Sequence, residues 1–165
     1  MGKGKIIAII GGILGILSVV LFYVLPDIFS FWHFVGGGGG TYLGGFGFWD
    51  GTAMDPEYAE DILLLIIFVL IVAGGAIAII GGLIENKVAG ILGGILMLVG
   101  PILFIVALAT EMGDFEDLAG YIEFITGEKG LLFGSALGLN WGIWISTYLA
   151  LGAGIVGVIG GAIID

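Results

Sequence analysis

Along this chain the charged positions crowd into short segments, and the stretches between them are almost wholly apolar. Ile6–Val24, Ile62–Ile84, Val88–Thr110 and Leu131–Ile164 contain no Asp, Glu, Lys or Arg. The first three are each close to the roughly 20 residues a helix needs to cross the hydrocarbon of a bilayer. The fourth is too long for one span, so only its later part, from Trp141, is assigned to the membrane. Any one run could be the buried helix of a soluble protein, but four of them leave no amphipathic shell to cover them. The pattern predicts spans over about residues 6–25, 62–84, 88–109 and 141–164, with outer connections at 26–61 and 110–140. The expected fold class is all-α membrane: one tetraspan domain over 1–165, a bundle of four transmembrane helices. Lys3 and Lys5 before the first run also fit the start of a signal peptide, but the run is longer than a usual signal core, and it is read as a retained span.

Turn and capping residues refine this. Pro26 closes the first span, because it cannot carry the hydrogen-bond ladder far. The first connection then gathers Trp32, Phe34, Tyr42, Phe46, Phe48 and Trp49 around the glycine run Gly36–Gly40. Aromatics suit strands, and glycine permits sharp turns, so a short irregular β-hairpin over the helix tips is expected. Asp55-Pro56-Glu57 reads as a helix start, with Asp as N-cap and Pro in the first helical position. The second helix would therefore begin near Pro56 and reach roughly 40 Å at ~1.5 Å per residue, projecting above the membrane. Gly100-Pro101 should kink or locally open the third span. In the second connection, Phe115, Leu118, Ala119, Ile122 and Ile125 recur at helical spacing, with Asp114 as N-cap and Gly127 as terminator. This short amphipathic outer helix needs a partner for its stripe, either the first connection or the bilayer surface. Leu131–Leu139 is expected to pack at the interface before Trp141 and Trp144 open the last span.

Charge orients the bundle. Lys3, Lys5 and Lys87 fall on one side and Lys129 on the other. Lysine excess marks the cytoplasmic face, so both termini and the turn at 85–87 are expected inside a cell membrane crossed by several passes. Glu85 and Asp165 leave +1 on that side, and Lys129 against twelve acids leaves −11 outside. The inner inventory is too small for a nucleotide site or an effector tail, so recognition belongs outside or within the membrane. All four tryptophans also lie on the outer side, as an interfacial belt or as packed structure.

Each span carries a glycine pair near the inner side: Gly11-Gly12, Gly81-Gly82, Gly93-Gly94 and Gly160-Gly161. With the small residues spaced four apart around them, Gly11, Gly15, Gly82, Gly94, Gly157 and Gly161 are the expected helix-packing positions, because small residues let backbones approach in lipid. The inner half should be narrow, and Phe22, Tyr23, Phe68 and Trp144 should fill a wider outer half.

Catalytic chemistry is sparse. No ionisable residue falls inside a span, which argues against ion-coupled transport. Ser18, Ser146 and Thr147 are isolated hydroxyls, expected to bond back to their own helices. Cysteine is absent, which removes disulfides, thiol catalysis and Cys-ligated zinc. His33 is the single histidine and is expected to be an exposed loop residue. The acids Asp114, Glu116 and Asp117, with Asp55, Glu57, Glu60 and Asp61, read as a solvated surface rather than a calcium site, since no loop has EF-hand spacing. Neither a cofactor nor a nucleic-acid partner is indicated, and an enzyme is the weakest reading.

Trp32 followed by Gly47-Phe48-Trp49 is similar to the Trp…Gly-Leu-Trp signature of the claudin and peripheral-myelin-protein group. The four spans, long first outer connection and short inner hairpin also resemble that group, although its paired cysteines are not present. The resemblance implies an extracellular β-sheet over a left-handed four-helix bundle, with lateral self-association. The expected role is a nonenzymatic structural protein that assembles with itself, or an accessory subunit of a larger membrane complex; a channel or transporter fits less well. Membrane lipids are the other expected partner. Partner contacts are expected at Trp32, Phe34, Tyr42, Phe46, Phe48, Trp49, Phe115, Leu118 and Ile122.

Overall fold

A computed structural model describes residues 2–36, 39–44, 48–51, 62–113 and 115–164, with residues 48–51 as backbone only. The expected helix start at Asp55-Pro56-Glu57, the acids up to Asp61, the Asp114 cap, and the side chains of Phe46, Phe48 and Trp49 lie outside the described residues.

Four helices are long and apolar enough to cross a membrane: α1 (Lys3–Val20, continued by a 3₁₀ turn at Leu21–Tyr23), α2 (Ile62–Leu83), α3 (Lys87–Ala109) and α5 (Ile145–Ala162). A shorter helix, α4 (Phe115–Thr126), lies between α3 and α5. The long helices form a ring in which α1 packs on α2 and α5, and α3 packs on the same two, while the diagonal pairs scarcely meet. Lys5 Nζ lies 3.0 Å from Glu85 Oε1, and a Cβ on Gly4 would meet the Ile163–Ile164 backbone. Both chain ends and the α2–α3 turn therefore share one end of the bundle. That turn is tight because its two halves are capped back to back. Glu85 takes a left-handed φ of 57°, the Asn86 amide donates to the Gly81 carbonyl to close α2, and the Asn86 side chain accepts from the Ala89 amide to open α3. Helix α3 runs through Pro101 without interruption.

Glycine governs packing toward that end. A Cβ on Gly12 would lie 2.5 Å from the Gly75 carbonyl oxygen, and one on Gly11 would lie 2.6 Å from the Gly157 amide nitrogen. Gly94 and Gly161 face the backbones of α5 and α3 respectively. Gly82 meets Ile9 and the Lys5 carbonyl, while Gly15 and Gly157 hold the Met97 side chain. Contact here is backbone against backbone, which only residues without bulk allow.

The opposite end carries more β-structure than the short hairpin expected there, as the resemblance implied. Instead of a hairpin, it carries a five-stranded antiparallel sheet in the order β3-β2-β1-β5-β4. Strands β1 (Trp32–Gly36), β2 (Gly39–Gly44) and β3 (Phe48–Gly51) come from the first connection, and β4 (Phe133–Ala136) and β5 (Leu139–Ile143) from the second. Strand β1 is central, pairing Trp32 with Leu43 on one side and with Ile143 on the other. The last span is correspondingly shorter than hydropathy suggests. Residues 141–143 are strand, and α5 starts only at Ile145. Hydropathy counts apolar residues but does not register that β1 has a second edge, whose buried amides and carbonyls need partners. Residues 137 and 138 join β4 to β5, both at positive φ (55° and 81°), as a two-residue type I′ turn demands.

Candidate functional site

The two faces of the sheet have different fates. Trp32, Phe34, Thr41, Leu43, Trp141 and Ile143 alternate onto one face and are buried. All but Thr41 join Leu64, Phe68 and Phe104 of the helices and Phe115, Leu118 and Ile122 of α4 in one core. The α4 stripe thus finds its partner within the protein. Gly127, at φ 73°, ends α4 by returning its amide to the Glu123 carbonyl. Ring contacts thread the core: Phe31 meets Phe68 at 4.8 Å and Phe104 at 5.6 Å, and Phe104 meets Phe115 at 6.0 Å, nearly edge to face in each case.

Five of the expected partner contacts, Trp32, Phe34, Phe115, Leu118 and Ile122, are therefore occupied inside this core. Trp32 and Trp141 donate their indole N–H groups to the carbonyls of Leu131 and Gly130 at 2.8 and 3.0 Å. They serve as internal ties, not as members of an interfacial belt. Tyr42 stands opposite His33 on the other face and is half-buried.

Residues 30 and 31 join the sheet to α5. The Phe31 carbonyl accepts from the Trp144 amide at 2.8 Å and from the Thr147 hydroxyl at 2.9 Å, while the Ser30 carbonyl accepts from the Ser146 amide. These bonds satisfy donors at the start of α5, which no side chain caps. Thr147 consequently does not bond back to its own helix as expected, because a backbone acceptor from the preceding strand segment lies closer to hand. Ser18 does, donating to the Gly15 carbonyl at 2.7 Å. Three buried hydroxyls, on Ser30, Thr41 and Ser146, have no hydrogen-bond partner among the described residues.

His33 is a further correction. It lies in β1 and is 8% exposed, not a solvated loop residue. Its ring meets Trp144 edge-on at 4.1 Å, and burial lowers its pKa from the usual histidine value. It belongs to the second face of the sheet, with Asn140, Gly142, Phe133 and Ser135 at matching register. This face and the first turn of α5 enclose an open groove of about 570 Å³. Sequence reasoning missed the groove. The available signal was alternation in Phe133–Ile143, which Gly134, Gly138 and Gly142 obscure and which the charge-free run conceals.

The acids of α4 form a separate shallow recess of about 410 Å³ with Glu111 and Lys129, and Lys129 pairs with Glu123 at 3.3 Å. Among the described residues, no three His, Asp or Glu side chains come together as metal ligands. The groove lining combines aromatic rings with the neutral polar groups of Ser135 and Asn140. Comparison with protein-family models finds no match, and comparison with curated proteins finds none either.

Proposed function

We propose that this chain is a multi-pass membrane protein with a nonenzymatic, structural role, assembling with copies of itself through its sheet-capped end and the sides of its helices. The observation that carries this reading is apolar surface beyond the four long helices. Phe124 on α4 and Leu137 at the β4–β5 turn are 88% and 81% exposed, more than any other large apolar side chain among the described residues. Solitary exposed apolar residues are ordinary on soluble proteins, but an exposed aromatic ring such as that of Phe124 is the kind of side chain in which interface cores are enriched. The glycine-packed bundle also supports this reading, since its closely apposed helices leave little room for a polar path between them.

In this proposal the lysine-bearing end faces the cytoplasm and the sheet faces outward, in line with the distribution of lysines. Native mass measurement of the purified protein in mild detergent tests assembly: a discrete oligomer is expected, and a monomer at every concentration would overturn it. A stoichiometric foreign subunit in a gentle purification would instead indicate an accessory subunit. Membrane placement is tested separately, because the chain has no cysteine of its own. Single cysteines at Asn86 and Glu128 should react with an impermeant maleimide from opposite sides of sealed vesicles. Release of the protein from the membrane at alkaline pH without detergent would contradict the placement.

A further inference from the structure

The groove beside α5 lies where a lipid would meet the sheet. Ile145, Tyr148, Ile155 and Ile159 form one exposed face of α5, and Gly152 lies within the same stripe with open space around it. At its upper end this stripe runs directly into the groove, which Ile145 and Tyr148 also line. Polar groups then follow in order along the strands. His33 stands opposite Gly142, nearest the helix, and Ser135 stands opposite Asn140, two residues further out along β5. Two residues of strand span roughly 7 Å at ~3.3 Å each.

We propose that this groove holds the headgroup of a bilayer phospholipid carrying a primary ammonium, an ethanolamine-type lipid whose acyl chains lie on the α5 stripe. This rests on the membrane placement given under Proposed function. The Tyr148 hydroxyl and the His33 ring N–H, at the helix side, are donors suited to the phosphate. The Ser135 hydroxyl and Asn140 amide oxygen, further out, accept hydrogen bonds from the ammonium, and the neighbouring Phe133 ring offers a π face to the same charge. Charge selects against an anionic headgroup. No Lys or Arg lines the groove, the sequence of the two outer connections carries twelve acids, and their one lysine, Lys129, is paired with Glu123.

The test is native mass spectrometry of the full chain, delipidated in detergent and titrated with ethanolamine, choline and glycerol phospholipids of identical acyl chains. One ethanolamine-lipid adduct is expected, at least fivefold tighter than the glycerol lipid, with the choline lipid between them because it cannot donate a hydrogen bond. The double substitution Ser135→Val with Asn140→Leu should abolish the ethanolamine preference. Tyr148→Phe should weaken all three lipids alike, and Phe124→Ala, outside the groove, should change nothing. Equal binding of the three lipids, or a preference unchanged by the double substitution, would overturn the proposal while leaving the membrane placement intact. Solubility of the protein without detergent would instead overturn the placement itself.

Discussion

The indole N–H of Trp32 donates to the carbonyl oxygen of Leu131 at 2.8 Å, across a separation of 99 residues, and the Trp32 side chain is fully buried. Trp141, on the neighbouring strand, makes the corresponding bond to Gly130. Two indoles from adjacent strands thus hold consecutive carbonyls of the segment that follows α4; the Trp32 bond ties the first connection to the second, and the Trp141 bond closes the second on itself.

Replacing Trp32 with Phe keeps most of the apolar contact but leaves the Leu131 carbonyl without this donor. A loss of about 1–3 kcal/mol is expected, the cost of a buried unpaired polar group. Trp32→Ala should cost more, about 3–5 kcal/mol, through the cavity it opens. Reversible unfolding in mixed micelles measures both, and a Trp32→Phe variant as stable as the parent would contradict the role of the hydrogen bond.

Neighbouring hydroxyls on α5 should behave in opposite ways. Thr147→Val removes the bond to the Phe31 carbonyl, which retains the Trp144 amide, so a loss near 1 kcal/mol is expected. Ser146→Ala removes a buried hydroxyl that has no partner among the described residues, and should be neutral or stabilising by up to about 1 kcal/mol. The same unfolding measurement distinguishes them by sign.

Glycines in the helices fall into two classes. Gly12→Ala would place a methyl 2.5 Å from the Gly75 carbonyl oxygen, and should destabilise the bundle by about 1–3 kcal/mol as α1 and α2 are forced apart. Gly152→Ala meets nothing within 4 Å and should stabilise α5 by about 0.5–1 kcal/mol. Thermal midpoints of the two variants should move in opposite directions.

Leu137 holds a φ of 55° at the first position of the β4–β5 turn, a conformation that suits Asn far better than Leu. Leu137→Asn should raise stability by about 0.5–1 kcal/mol. It also removes an exposed apolar tip, so a simultaneous loss of oligomer in native mass spectra would assign that tip to assembly.

The buried imidazole of His33 makes stability depend on pH. Unfolded, it titrates near ~6.5; folded, burial against the sheet and the Trp144 ring holds its pKa lower. Between those two values the unfolded chain binds more protons, so stability rises with pH there. The contribution is complete above the unfolded value and is lost as pH falls through the folded one. His33→Phe should flatten this part of the profile, and subtracting it from the parent profile removes the carboxylate background. Parallel profiles for the two proteins would contradict the assignment.

The helices were largely legible in advance because their signal is local. A charge-free run near span length needs no knowledge of its neighbours, and α1, α2 and α3 lie within a few residues of the predicted limits. The amphipathic stripe of α4 was equally readable, since Phe115, Leu118, Ala119 and Ile122 repeat at a helical interval. Where reading ran short, the deciding partner lay far along the chain. In Leu131–Ile143 the alternation is too interrupted by glycine to show that most of it is strand, because the reason is the second edge of β1 roughly a hundred residues earlier.

The sequence by itself determined the apolar helices, the places where glycine stands in them, and the uneven spread of charge, because each depends on residue type and spacing alone. Tertiary structure decided which aromatic residues face inward, that His33 is buried, that Thr147 serves the sheet, and that a groove opens beside α5. Strand pairing fixes all of these together, since sheet register assigns every side chain in two distant connections to one face or the other.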